Sequence, residues 1–389
     1  MTFRVGVVGI GDICDVYLNN LKKYPMVQVI GCAGRDPGKA RAKAAMHSLP
    51  KAYTGASELF DDPEVDLVLN LTTPGAHHAL NMAALRAGKH VYTEKPLAGT
   101  FAEGKELMAL ARARDLRVGC APDTFLGGRL QTCRDVIDSG RIGAVTGASA
   151  FVVSHGPEWH HPSPGFLYQP GAGPVMDVGP YYVTALTALL GPARRCCAMG
   201  KRTSPSRTLE LGPLKGTTIP VLVDTHVTAS IEFVSGAIVS LLASFDVWDS
   251  ELPRIEIYGT KGTLCIGDVD PVGGPNLFGG KVLLRTREEY RWQGLPRTNA
   301  DAPWLEVPVS RPFNELSHRE DSRGIGLVDM ACAIRDGRPH RANGDLALHG
   351  LELMEAILTS ATEGRFQSLE SSCERPEPLP LDFPEEPKE

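Results

Sequence analysis

The chain has 389 residues, 42% of them hydrophobic and 22% charged, with a formal net charge of −6. That composition fits a soluble chain of two or three domains. The negative balance argues against a nucleic-acid partner. The lack of any apolar run of spanning length argues against a membrane one. The N-terminus, MTFRVGVVGIGD, has no charged and apolar leader and reads as a first strand, so a cytoplasmic protein is expected. Nine cysteines without a C-x-x-C pair, two of them the neighbours Cys196 and Cys197, fit reduced thiols.

From residue 3 to about 120, apolar runs alternate with helical stretches. RVGVVG (4–9), VQVIGCAG (27–34), VDLVLNLT (65–72), KHVYT (89–93) and LRVGC (116–120) suit buried parallel strands. Helices are expected over 75–87 and 100–114, the second opened by a capping box of Thr100 and Glu103. Strands joined by single helices make an α/β, doubly wound parallel sheet over 1–121.

The texture then changes. A helix, RLQTCRDVIDSGRIG, precedes strands at 144–154, 221–234, 237–247, 254–258 and 262–266. THVTASIEFVSGAIVSLLASFDVW is a hairpin that turns at Ser235-Gly236. Such runs predict a second, α+β domain over 122–370 with a large, mainly antiparallel sheet. Pro and Gly between 268 and 314 predict long loops, helix returns at 345–361, and 371–389 is a Pro/Glu-rich, loose tail.

The first strand runs into Gly9-Ile10-Gly11-Asp12-Ile13-Cys14. Strand, G-x-G, helix is the phosphate turn of a dinucleotide fold, with glycines for close approach and a helix N-terminus for the charge. Cys14 stands where the full fingerprint has Gly or Ala. The second strand ends in Gly34-Arg35-Asp36, with no carboxylate at Gly34 for a ribose 2′-hydroxyl. Arg35 could clamp a 2′-phosphate, which favours NADP over NAD; the alternative is a solvated loop arginine. Asp36 sits late and can start the next helix. YTEKPLAGTFAE (92–103) sets Glu94, Lys95 and Pro96 between strand and helix, which alone would be an ordinary polar loop.

Taken together, GIGDIC, LTTPGAHHALNMAALRAGKHVYTEKPLA, VIDSGRIGAV, GAGPVMDVGPYY and IEIYGTKGTL resemble the Gfo/Idh/MocA family (glucose–fructose oxidoreductase, inositol dehydrogenase, rhizopine catabolism) in family order. The resemblance implies an N-terminal Rossmann domain. It also implies a C-terminal domain whose open sheet face forms a homodimer or homotetramer. Lys95 matches the lysine that reaches between nicotinamide and substrate; Pro96 would fix its backbone, and Glu94 would orient the loop or touch the cofactor. Asp177 matches the family aspartate. Tyr181 stands where many members have histidine, as in the glucose–fructose oxidoreductase and dihydrodiol dehydrogenase branches, which favour NADP. With Asp177 near a helix start, the spacing of four puts it on one face with Tyr181. The loop Thr72-Thr73-Pro74 would lie beside the nicotinamide ribose, with His77 matching a family histidine in a register open to His78.

The implied chemistry is oxidation of a secondary alcohol, or its reverse, on a sugar, cyclitol or related polyol. Hydride moves between carbon and nicotinamide while Lys95 and Tyr181 handle the hydroxyl proton. HGPEWHHPSPGFLYQP (155–170) reads as a substrate lip, with Trp159, His160 and Tyr168 as contacts. Adjacent His160 and His161 are poor metal geometry, so no metal is expected. Asp246 and Trp248 are secondary candidates, with a strand end or an interface pair the stronger alternative. Two other functions stay open: a redox-neutral glycoside-processing enzyme with tightly held nicotinamide, and a non-catalytic nucleotide sensor.

Overall fold

The computed structural model describes residues 2–159, 161, 163–266, 277–286, 304–313 and 322–384. The chain divides into two compact units. The first is Met1–Gly127 with Ser317–Glu352 and Pro376–Glu389; the second is Gly128–Leu316 with Leu353–Arg375.

In the first unit the elements run β1 (Phe3–Val8), α1 (Asp12–Leu21), β2 (Val27–Ala33), α2 (Pro37–His47), β3 (Lys51–Ala52), α3 (Ala56–Asp61), β4 (Leu67–Asn70), α4 (Pro74–Arg86), β5 (His90–Thr93), α5 (Phe101–Ala113) and β6 (Val118–Cys120). All strand pairs are parallel, in the order β3-β2-β1-β4-β5-β6. The order reverses between β1 and β4, and the carboxyl ends there are where such sheets bind ligands. Val5, Val7, Leu67, Leu69 and Val91 are fully enclosed, as both-sided cover of a parallel sheet requires. The capping box forms as expected: Thr100 Oγ1 accepts the Glu103 N–H at 3.2 Å, and the Glu103 carboxylate accepts the Thr100 N–H at 3.1 Å. β3, only two residues long, has no period from which to be read.

The second unit runs α6 (Gly128–Asp138), β7 (Val145–Val153), α7 (Gly173–Asp177), α8 (Gly179–Leu190), β8 (Ala193–Lys201), β9 (Ser206–Thr208), β10 (Thr218–Pro220), β11 (His226–Phe233), β12 (Ile238–Ser244), β13 (Ile255–Gly259), β14 (Gly262–Ile266), β15 (Val282–Thr286) and β16 (Leu305–Val307). α9 (Ile325–Arg335) belongs to the first unit, α10 (Gly344–Glu363) crosses the division, and β17 (Gln367–Ser368) belongs to the second. One sheet has the order β16-β15-β14-β13-β7-β12-β11-β8-β17, parallel only at β7–β12. The hairpin β11–β12 turns as expected, with Gly236 at φ 87°. Alternation divides the sheet: Val227, Ala229, Ile231, Val239 and Leu241 are buried on one face. The register puts Thr228, Ser230, Ser240, Ile238, Met199 and Tyr258 on the other. That face is open, with Ile238 58% and Met199 82% exposed.

Two expectations are corrected. The stretch 268–314, read as loops, contains β15 and β16, which extend the sheet; the rest of it lies largely outside the described residues. The stretch read as a loose tail is tied down as far as it is described. Arg341 donates to the Glu377 carbonyl at 3.0 Å and to that of Pro378 at 2.9 Å, Leu379 is fully buried and Phe383 nearly so. Proline-rich backbone offers carbonyls without N–H groups, and one buried guanidinium satisfies several of them. None of the nine cysteines is in a disulfide, and no described helix is long and apolar enough to cross a membrane.

Candidate active site

The glycine turn is built by steric need. Gly9 has φ 98°, and a Cβ there would stand 2.5 Å from the Leu71 carbonyl carbon and 2.6 Å from the Thr72 nitrogen. The turn after β1 and the loop after β4 thus meet backbone to backbone. Gly11 is the N-cap of α1 and supplies no side-chain cap; a Cβ there meets nothing within 4 Å. The first N–H groups of α1, from Asp12 and Ile13, therefore keep their donors beside open space, which fits a pyrophosphate. Ile10 packs on Gly34, where an added Cβ would lie 2.6 Å from the Ile10 side chain, so a side chain there would have to displace Ile10. Arg35 is exposed at the end of β2. Asp36 caps α2, accepting the Gly38 and Lys39 N–H groups at 2.8 and 3.2 Å.

Asn70 ends β4 and is fully buried. Its Oδ1 accepts the Thr72 N–H at 3.1 Å and the Thr72 hydroxyl at 2.7 Å, while its amide donates to Asn81 at 2.8 Å. Thr73 and Pro74 are exposed at the start of α4. The resemblance implies His77 at the cofactor, but its ring is completely enclosed. Its Nδ1 stands 2.7 Å from the Pro96 carbonyl and its Nε2 2.9 Å from that of Thr72. His77 therefore staples the two loops together from beneath. His78 is half-buried, with its Nε2 3.2 Å from the Glu106 carboxylate.

Lys95 is half-buried just beyond β5, and the Lys95–Pro96 peptide is cis. Of the two roles open to Glu94, the geometry supports orientation. It is 8% exposed, and its carboxylate accepts the Lys95 N–H at 2.9 Å and the Tyr17 hydroxyl at 2.8 Å, with Arg323 at 3.6 Å. Burial, followed by the Glu94 charge, pushes the Tyr17 phenol well up, so it stays a donor. Asp123 lies close by, 1% exposed, and one of its oxygens accepts the Gly324 and Gly326 N–H groups, each at 2.9 Å. Burial lifts its carboxyl to about 6, against those bonds and Arg323. Tyr17, Asp123 and Arg323 escape sequence reasoning, because no local pattern links them to Glu94.

Asp123 gives a pH prediction. Its folded value lies above that of an unfolded aspartate, so its stabilising contribution is complete below about pH 4 and is lost as pH rises through 6. The loss is on the order of 3 kcal/mol. Asp123→Asn keeps an oxygen for Gly324 and Gly326 but has no charge to bury. Urea midpoints at pH 4.5 and 7.5 (roughly bracketing the window) should fall less in the variant than in wild type. Equal falls would refute the assignment.

In the second unit, Asp177 and Tyr181 do not share one helix. Asp177 ends α7, Val178 breaks the helix, and Tyr181 lies in the first turn of α8. Pro180 has no N–H for the Met176 carbonyl, so the ladder is interrupted there. The Tyr181 N–H donates to the Val178 carbonyl at 3.2 Å. Tyr181 is 4% exposed and Asp177 half-buried. Tyr168, expected at the substrate, is an interior residue with Val221 and Phe245, and its hydroxyl is given to Glu158. Asp246 is likewise committed, to Arg207 and to the Thr225 hydroxyl at 2.6 Å. Trp159 is 42% exposed beside Trp248; His160 lies outside the described residues. A depression along Lys51, Thr54, Glu58 and Asp62 carries none of these groups, and its Lys51 is paired with Asp62 at 2.6 Å.

Residues 3–121 match the model of an oxidoreductase family with an NAD-binding Rossmann fold, and residues 130–265 match the Gfo/Idh/MocA C-terminal domain. The chain belongs to the Gfo/Idh/MocA family of oxidoreductases. Trans-1,2-dihydrobenzene-1,2-diol dehydrogenase from Bos taurus is 28% identical over 279 residues, 71% of this chain and 76% of that protein. 1,5-Anhydro-D-fructose reductase from Ensifer adhaerens is 26% identical over 69% of this chain and 78% of its own. A levoglucosan dehydrogenase, solved with NADH and levoglucosan, has a TM-score of 0.78 at 19% identity, covering 95% of this chain and all of its own. At that identity the likeness is one of fold.

Proposed function

We propose that this family member is an NADP-preferring dehydrogenase or reductase that acts on a ring hydroxyl or ketone of a sugar, cyclitol or related cyclic diol. Residues 1–121 carry the nucleotide and 122–370 the substrate. One observation carries the reading: Lys95 stands at the carboxyl end of β5 on a loop held by buried Glu94, Tyr17 and Arg323. Fixing the backbone of a cation so firmly suits proton transfer at a set position. The two curated relatives, named for a cyclic diol and an anhydro sugar, support the substrate class.

When bound, the nicotinamide takes or gives the hydride. In the oxidative direction the substrate hydroxyl proton passes to the Tyr181 oxygen while the phenol hands its own proton on through Lys95 to solvent; in reduction the protons return by the same route. Asp177 orients the hydroxyls. The N–H groups of Asp12 and Ile13 bind the pyrophosphate, and Thr72 and Thr73 lie along the nicotinamide ribose. The open face of the second unit's sheet supports a homodimer or homotetramer, since Met199 and Ile238 would otherwise stay in water.

The NADP preference rests on Gly34, Arg35 and the committed Asp36. Arg35→Ala should weaken NADP⁺ about 10- to 100-fold, the worth of a charge-assisted contact, and leave NAD⁺ within about twofold. Isothermal titration of both nucleotides decides it. Equal effects on the two would end the 2′-phosphate assignment.

A further inference from the structure

Two loops of the second unit expose aromatic rings. His155 and Trp159 follow β7, and Trp248 follows β12. His155 stacks on Trp248 with centroids 5.1 Å apart and planes 5° apart; Trp159 stands edge-on to both, at 5.1 and 5.6 Å. Trp248 is 73% exposed. Such a face matches the apolar C–H side of a sugar or cyclitol ring.

Beneath the rings lies a charge cluster the sequence did not reveal. Glu158, next to Trp159, is 3% exposed, and Asp246, two residues before Trp248, is also largely enclosed. Two carboxylates so close repel unless a cation joins them. Arg207, at the centre of β9, is that cation. Its guanidinium lies 3.4 Å from Glu158, pairs with Asp246 and reaches the Phe245 carbonyl at 3.4 Å. The second oxygens are occupied too, that of Glu158 by the Tyr168 hydroxyl and that of Asp246 by Thr225. Val247 also donates to the Ser154 carbonyl at 3.0 Å, joining the loops through backbone. Tyr168 and Phe245 pack on Val178, the residue that separates Asp177 from α8. One guanidinium therefore ties both aromatic loops to the cluster on which Val178, the neighbour of Asp177, packs.

We propose that His155, Trp159 and Trp248 form the face that receives the apolar side of a cyclic polyol, and that Arg207 is the positioning residue that sets it. The substrate half rests on the function proposed above; the positioning half does not. Two indoles this close and oblique give an exciton couplet in circular dichroism, readable on the full chain without turnover. The wild type should show it, and Trp248→Phe should lose its Trp–Trp coupling. Arg207→Met should lose most of it, and Arg207→Lys should regain part. For whichever cyclic polyol is turned over, Arg207→Met should raise KM about tenfold or more with kcat within about threefold. If Arg207→Met fails to fold, Thr225→Val removes one bond to Asp246 and should move both readouts in the same direction. Tryptophan emission should also be quenched saturably by myo-inositol or D-glucose, and not in Trp248→Ala. A folded Arg207→Met that keeps couplet and KM overturns the positioning role. Unchanged KM and quenching in Trp248→Ala overturn the substrate face, and a lower sedimentation mass in that variant would make it a contact with a second copy. Absence of turnover with every substrate counts against the proposed function alone, since the couplet still decides Arg207.

Discussion

Lys95→Met lowers kcat by about 10²- to 10⁴-fold, the usual loss when a positioned proton-transfer group is removed. The Met side chain nearly matches the stem of lysine in length, so packing is kept while the charge is lost. Glu94 holds the backbone at this residue through the Lys95 N–H, a bond that the substitution does not touch. Nucleotide affinity should therefore fall far less than turnover. The check is single-turnover kinetics with saturating nucleotide, together with the pH profile. Wild type should show an ionisation on which turnover depends, and the variant should lose it. A variant with near-wild-type kcat would remove the lysine from the chemistry and leave Tyr181 alone with the proton.

Gly9→Ala should cost about 3–5 kcal/mol of stability, from a residue forced to positive φ and a methyl driven into backbone. The atoms it meets, the Leu71 carbonyl and the Thr72 nitrogen, are main chain at 2.5–2.6 Å and cannot swing aside. The loop holding Thr72 must move, so nucleotide binding goes with stability. Gly11→Ala is the control. Its methyl meets nothing within 4 Å, so stability should fall by no more than about 1 kcal/mol, the cost of Ala at an N-cap. The same methyl would fill the space over the α1 N-terminus, so NADP⁺ should bind at least tenfold more weakly, roughly 1.4 kcal/mol. Urea melts and nucleotide titrations on both variants separate the effects. Tight binding by Gly11→Ala would remove the pyrophosphate from this turn.

Much of the fold is legible because periodicity and capping are local. The valines of β1, the G-x-G turn and the Thr100–Glu103 box are read within a few residues of one another. The break between α7 and α8 is legible too: Pro180 is in plain view, and it lacks an N–H for the helical ladder. What stays hidden is long-range pairing. Glu94 meets Tyr17 across 77 residues, and Asp123 meets Gly324 across 201. Nothing in YTEKPLAG says that its glutamate points inward. Composition likewise cannot say which aromatic of 155–170 faces water. Tyr168 packs on Phe245 and gives its hydroxyl to the buried Glu158, while Trp159 is 42% exposed.

The central claim is net hydride transfer between nicotinamide and a ring hydroxyl. Nicotinamide absorbance, followed with NADP⁺ and with NAD⁺ across aldoses, inositols, cyclic diols and glycosides, tests it most directly. The account predicts reduction of NADP⁺ by at least one cyclic substrate, faster than NAD⁺ at equal concentration. No reduction with any of them, in protein that binds the nucleotide, would contradict it and turn attention to a redox-neutral reaction or a sensor.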